Sequence, residues 1–278
     1  MQHAIPSRTA LGVAVLRALH QQIDAPPVFV DPMALRILGP EGPRLVRARR
    51  TGLLSSRLRA SVAIRSRIAE DAIAARSDAR QYVLLGAGLD SFAVRQPPET
   101  RLRVFEVDHP ATQAWKRDML ARAGLKAPNA LIFVPIDFER ESLRERLSAA
   151  GFRFDAPAVF AMLGVVIYVQ RAAVLQTLQL VAGLPPGGAE IVFDYAEPPE
   201  DAALSVRLAT RAMAWRVASL GEPWRTFFRP EELASALRGL GFAGFEDLGS
   251  EALRARYFPH RGDDLAPGPL SHVVRSWT

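Results

Sequence analysis

Three short segments carry residue types suited to gripping a small polar ligand. The first, "LGAGLDS", closes an apolar run with Gly86, Gly88 and the acid Asp90. Glycine lets a backbone turn sharply and approach a ligand without a Cβ in the way. About twenty residues on, "VFEVDHP" places Glu106 and Asp108 at the end of another apolar run, where an acid accepts hydrogen bonds from ribose hydroxyls. The third, "VPIDFE", sets Asp137 beside Phe138, a carboxylate and an aromatic edge that would suit adenine. Each alone has a plainer reading: an ordinary glycine turn, or for Asp137 a helix N-cap before "FERESLRERL". Acids closing successive apolar segments point together to a nucleotide-like cofactor.

The spacing discriminates between cofactors. A dinucleotide site uses G-x-G-x-x-G, whose third glycine lets helix and strand pack closely. That place is taken by Ser91. Asp90 would also set negative charge where a pyrophosphate lies. S-adenosylmethionine has no phosphate and a positive sulfonium, so acids near the loop favour it. An NAD(P)-dependent oxidoreductase is the alternative, and a ligand-sensing protein without turnover is a third reading.

The elements that must hold these segments follow from the pattern around them. From Gln81, the runs "YVLLG", "LRVFEV", "ALIFVPI", "PAVFAML" and "EIVFDY" alternate with helical stretches. That texture predicts a parallel sheet covered on both faces. An Arg- and Ala-rich helix, a "GEPW" turn and a helix opening at "RPEELASAL" follow, with two more strand candidates, "FAGFEDLG" and "PLSHVVRSW". The last is expected at an edge or antiparallel. Residues 1–80 read as helices broken by proline and glycine at "DAPPVFVDP" and "LGPEGP", with an amphipathic helix from about Leu53 to Ala75. The expected fold is a Rossmann-like, doubly wound α/β domain: a mostly parallel seven-stranded sheet at 81–278 and a helical N-terminal cap or lid at 1–80, in one compact unit. Ligands of such sheets bind at the carboxyl ends of the strands, near the topological switch point.

Composition narrows the class. The 278 residues, 49% hydrophobic, suffice for a sizeable core. The absence of cysteine excludes a disulfide framework, a thiol nucleophile and thiolate zinc, and fits a reducing, cytoplasmic setting. No run approaches a membrane span, so no membrane partner is expected. The net charge of +6 invites a nucleic-acid reading. Nearly all of the positive charge is arginine, however, and few aromatics interleave it to stack bases, so no nucleic-acid partner is expected. Arg44, Arg47, Arg49, Arg50, Arg57, Arg59, Arg65 and Arg67 occur with no acid between Glu41 and Glu70. They read as a solvated helix face, or more sharply as an entrance for an anionic substrate. No H-x-x-H, carboxylate cluster or G-x-S-x-G suggests a metal or a hydrolase elbow.

The segments "QYVLLGAGLDSFAVR", "RVFEVDHPATQAWKRDML", "FVPIDFE" and "LGVVIYV" together resemble the leucine carboxyl methyltransferase-like family of class I S-adenosylmethionine-dependent methyltransferases, in its bacterial branch. The similarity takes in "SRTALGVAVLRA" and "VFVDPMALRIL" before the sheet and "GEPWRTFFRPEELASALRGLGF" after it. It implies that Arg65, rather than Arg67, pairs with the methionine carboxylate. It also implies that Gly86, Ala87 and Gly88 lie beside the methionine moiety, that Asp108 followed by His109 binds ribose, and that Asp137 and Phe138, with Leu163 nearby, complete the cofactor contacts. Ser91 stands where many members have threonine, and Val94 where tyrosine is common. Leu163 occupies the place of a glutamate found in members that methylate a protein phosphatase. The resemblance therefore implies a small-molecule substrate, a carboxylate or hydroxyl of a secondary metabolite, rather than a protein terminus.

A carboxylate acceptor is already ionised and needs no base, whereas an alcohol or phenol needs one. No base stands out in the sequence: His109, followed by Pro110, reads as a strand-to-helix turn residue. Tyr168, Tyr195, Trp224 and Arg225 are the expected substrate contacts, whereas Trp215 is expected to pack in the core. The N-terminal segment through Arg8 and Thr9 is expected, by resemblance, to close over the site.

Overall fold

The computed structural model describes residues 7–49, 51–138, 140–263 and 265–278; Arg50 of the arginine run lies outside them. The apolar runs form the parallel strands β1 (Gln81–Leu85), β2 (Arg103–Asp108), β3 (Leu131–Pro135), β4 (Ala158–Met162) and β5 (Ala189–Ala196). With β6 (Gly244–Leu248) and β7 (Ser271–Trp277) they make a seven-stranded sheet in the order β3-β2-β1-β4-β5-β7-β6. Strand β7 runs antiparallel to both neighbours, setting Tyr195 opposite His272 and Leu248 opposite Val273. It is interior, and β6 takes the edge. Successive crossovers run outward from β1 through β2 to β3, and the chain then returns to lay β4 against the other side of β1. The β1/β4 junction is therefore the switch point.

Before the sheet come α1 (Arg8–Ile23), α2 (Gly42–Ala48) and α3 (Leu53–Ala75). Ser7 caps α1 by accepting the Ala10 N–H. Helix α3 is a layer of the sheet itself: Ala60, Ala63, Ile64 and Ile68 pack with Tyr82, Leu84, Val104 and Val159. A division at residue 80 therefore follows chain order and cuts across a shared core. Only α1 and α2, with Leu38, Leu89, Trp115 and Met119, form a separate apolar cluster at the rim. After β1 the short α4 (Phe92–Arg95) and, beyond β2, α5 (Pro110–Arg122) follow. The opposite face is covered by α6 (Leu143–Ala149), α7 (Arg171–Ala182) and, after α8 (Leu204–Ala218), by α9 (Pro230–Leu240). Helix α10 (Ser250–Tyr257), mostly polar with Leu253 its buried residue, has no counterpart in the sequence reading.

Three local expectations change. The helix after β3 starts at Leu143, capped by Ser142, whose Oγ accepts the Glu145 N–H; Asp137 is not its N-cap. Trp215 is not a core residue. It is 77% exposed, because α8 buries only Val217 and carries the indole on the other side. Nor is the arginine run one solvated face. Arg44 and Arg47 are exposed, but Arg59 is buried against Asp24 with bonds of 2.8 and 3.0 Å. Its acid comes from another segment.

One buried ion pair underlies the switch point. Glu106 on β2 faces the Lys116 ammonium of α5 at 2.6 Å, with both side chains almost wholly enclosed. Lys116 Nζ also donates to the Asp90 carbonyl at 2.7 Å. Burial pushes Glu106 up to about 7, Lys116 opposing and the neighbouring Asp90 and Asp108 charges adding to it. Its folded value lies above the ordinary 4.5. The stabilisation linked to this proton is therefore full below about 4.5 and lost as pH rises through about 7. Removing the cation by Lys116→Met leaves Glu106 unpaired, which is expected to cost about 3–5 kcal/mol when the acid must ionise. Denaturant unfolding should show a much larger loss at pH 8 than at pH 5; equal losses would refute the assignment.

Candidate active site

At the carboxyl ends of the strands lies a cavity of about 490 Å³ whose wall includes the β1 glycine loop, the ends of β2 and β5, the turn after β4, helix α1 and the segment Gly221–Arg225. Gly86 has φ +67°, and a Cβ there would come within 2.3 Å of Val165 Cγ2, so the loop accepts no side chain at this point. Asp108 fixes the loop: its Oδ2 accepts the Gly88 N–H at 2.6 Å and its Oδ1 the His109 N–H at 2.7 Å. Burial pushes this carboxyl up, while the two N–H donors pull it down. Each carboxylate oxygen has a further lone pair to offer. Ala87 lines the same stretch, and His109 caps α5 by accepting the Ala111 N–H at Nδ1. Glu106, the other acid of the "VFEVDHP" segment, points away to Lys116 and does not line the cavity.

Asp90 was expected to repel a pyrophosphate. It is instead neutralised by Arg17 of α1 at 3.1 Å, and its Oδ1 accepts the Phe92 N–H. Arg17 also pairs with Asp31 at 3.1 Å and donates to the Leu89 carbonyl. Ser91 is fully buried and gives its hydroxyl proton to Asp31. The glycine loop is thus charge-balanced from behind, and electrostatics alone no longer separates the two cofactor classes.

Arg65 enters the cavity from α3, and its Nη1 donates to Asp194 Oδ2 at 3.0 Å. The other Asp194 oxygen accepts the Gly164 N–H. Gly164 has φ +68°, and a Cβ there would sit 2.5–2.8 Å from the Arg65 guanidinium, so the missing side chain makes room for the arginine. Arg67 lies outside, paired with Asp71 and bonded to the Val28 carbonyl. Asp137, Phe138 and Leu163 line the cavity, with Arg140 at 3.7 Å from Asp137.

Tyr168, Trp224 and Arg225 also line the cavity, the Arg225 N–H donating to the Ile167 carbonyl. The Trp224 indole nitrogen is buried without an acceptor of good geometry. Burial raises Tyr168, with Trp224 and Arg65 opposing. Tyr195 also borders the cavity, but its hydroxyl donates to Asp247 at 2.7 Å and lies 3.0 Å from His272 Nδ1. His272 sits between two acids, Nδ1 at 2.8 Å from Asp247 and Nε2 at 2.8 Å from Glu197. Burial opposes its charge, yet the two carboxylates hold the imidazole above its ordinary value. Thr9 lines the cavity and donates its N–H to Glu222, whereas Arg8 is exposed. Sequence reading missed Arg17, Asp194, Glu222 and His272. Only Asp194 left a trace there, as an acid ending the fifth apolar run.

A family profile described as "Leucine carboxyl methyltransferase" matches residues 10–182, from α1 to the end of α7. The Bacillus subtilis protein YktD, provisionally named an S-adenosyl-L-methionine-dependent methyltransferase, is 36% identical over 199 residues, 71% of this chain and 65% of its own. A Mycolicibacterium paratuberculosis protein under the same provisional name is 29% identical over 281 residues, covering 94% and 91% of the two chains. Among solved structures, a DUF574 family protein from Streptomyces avermitilis shares the fold with a TM-score of 0.53 and 18% identity, over 96% of this chain and 97% of its own. A Thermobifida fusca protein provisionally described as a methyltransferase does so with a TM-score of 0.53 and 17% identity, over 96% and 94%. The chain belongs to the leucine carboxyl methyltransferase family.

Proposed function

We propose that this chain transfers a methyl group from S-adenosylmethionine to an oxygen of a small molecule, and that the oxygen is a carboxylate. The cavity's donor set fits the cofactor. Arg65 offers a guanidinium fork for an amino-acid carboxylate, Asp108 offers remaining lone pairs to a ribose diol, and Asp137 with Phe138 offers a carboxylate and an aromatic edge to adenine. When bound, the cofactor supplies an electrophilic methyl on a cationic sulfur. The acceptor oxygen forms the new C–O bond as the C–S bond breaks, the electron pair leaving with sulfur as S-adenosylhomocysteine. The protein's part is alignment and exclusion of water.

The observation that carries the acceptor class is the buried Trp224 N–H, which has only a poorly aligned contact with the Tyr168 hydroxyl. A buried donor so weakly paired is costly, and an anionic oxygen held between it and the Tyr168 hydroxyl would satisfy both. An anionic acceptor also suits a wall whose histidines are committed elsewhere. His109 Nδ1 is spent capping α5, and both ring nitrogens of His272 are engaged by Asp247 and Glu197. Leu163 adds apolar surface to the wall, in keeping with a small organic acid.

Calorimetric titration with S-adenosylhomocysteine, NAD and NADP tests the cofactor, and turnover of labelled S-adenosylmethionine with carboxylic acids against phenols tests the acceptor. Binding of the homocysteine product alone, lost in Asp108→Ala, is the expected result; binding of NAD or NADP instead would overturn the reading. Gly164→Ala should push Arg65 aside and weaken that binding by tenfold or more, and, because φ +68° strains any side chain there, also lower the unfolding midpoint by several degrees. Trp224→Phe keeps the ring but removes the donor. It should lower kcat/KM for a carboxylate by roughly ten- to a hundredfold, the worth of a hydrogen bond to a charged group, without changing cofactor affinity. Unchanged kcat/KM in that variant would sink the carboxylate assignment.

A further inference from the structure

Helix α8 has 15 residues, and Val217 is the only buried one. A helix of this length is marginal in water on its own, and helices in folded proteins are held mainly by burying an apolar stripe. Here Val217 and the half-buried Val206 and Met213 face the protein, and a second apolar row faces outward. Leu204, Leu208 and Trp215 recur at helical spacing on the side opposite Val217 and are 67%, 57% and 77% exposed. Arg207, Arg211 and Arg216 flank them, and no ion pair engages these arginines among the described residues. No acid occurs between Asp201 and Glu222. Of these two, Asp201 is taken by Arg229 and Glu222 accepts the Thr9 N–H. Arg49, just after α2, adds to the positive field: burial and the nearby Arg216 cation both push it down.

We propose that α8 binds the surface of an anionic lipid bilayer, with Leu204, Leu208 and Trp215 seated at the acyl boundary and the three arginines among the headgroups. A helix with a leucine and tryptophan face flanked by arginine is the composition of an interfacial helix, whose binding adds buried apolar area to electrostatic attraction. Tryptophan in particular favours the membrane–water interface. Charge decides against a second copy on the same face, since two-fold pairing would set the arginines against their own images. No helix is long and apolar enough to span a membrane, and a surface helix needs no such length, so this departs from the sequence expectation of no membrane partner. A short turn joins α8 to the cavity wall at Gly221–Arg225, which would place that wall beside the bilayer and give it access to an amphiphilic acceptor. The lipid proposal does not depend on the carboxylate assignment.

The test is flotation of the whole protein with phosphatidylcholine vesicles, with and without phosphatidylglycerol, at low and high salt. Flotation only with the anionic vesicles, reversed by salt, is expected. R207Q/R211Q/R216Q should lower partitioning on the order of a hundredfold, and L204S/W215S should abolish it. Both variants should keep the parent's thermal midpoint and S-adenosylhomocysteine affinity, which separates failure here from failure of the cofactor assignment. No flotation, equal flotation with neutral vesicles, retention by the arginine variant, or a concentration-dependent dimer that L204S/W215S dissolves would each overturn the proposal.

Discussion

The carboxylate of Asp194, at the end of β5, accepts hydrogen bonds from elements far apart in the chain: the Arg65 guanidinium on α3 and the Gly164 N–H beyond β4. It thereby sets the direction of Arg65 and the path of the turn that carries Val165 against Gly86. A guanidinium offers five donors in a rigid fork, so a partner on one nitrogen orients the others without consuming them. The two glycines at this junction are not flexible points. Gly86 is empty because Val165 fills the space, and Gly164 is empty because Arg65 does.

Behind the glycine loop runs a second layer of buried charge. Arg17 spans Asp31 and Asp90, and Lys116 spans Glu106 and the Asp90 carbonyl. Two cations thus brace the loop from α1 and α5 while Asp108 pins it from β2. Buried ion pairs contribute little net stability against apolar replacements, though removing one partner is costly. Their effect here is positional. They leave the Asp108 carboxylate facing the cavity with no side-chain ion pair of its own among the described residues.

The central sheet was legible because its strands are continuous apolar runs, a pattern that only burial on both faces explains. The glycine loop, Asp108 and the Asp137–Phe138 pair were legible for a related reason, since each directly follows such a run. What escaped depends on pairing across the fold. Arg59 and Arg65 belonged to a stretch without local acids, and their partners, Asp24 and Asp194, lie in other segments. Asp90 was misjudged for the same reason, its counter-ion Arg17 sitting on α1. Trp215 was misplaced because a tryptophan within an alanine-rich helix implies burial only if something covers it. Helix α10 was missed because it hides a single leucine.

The buried seat of Arg17 bears on how molecules come and go. An N-terminal helix over such a cavity invites comparison with a hinged door. Swinging α1 outward, however, would drag a nearly enclosed guanidinium from two carboxylates, leaving Asp31 to Ser91 and Arg95 and Asp90 to the Phe92 N–H, a costly rearrangement of buried charge. Helix α1 is better described as a doorpost. The Gly221–Arg225 segment on the opposite jamb is tied to that post by the Glu222 bond to the Thr9 N–H, so the two sides of the opening are fastened to each other.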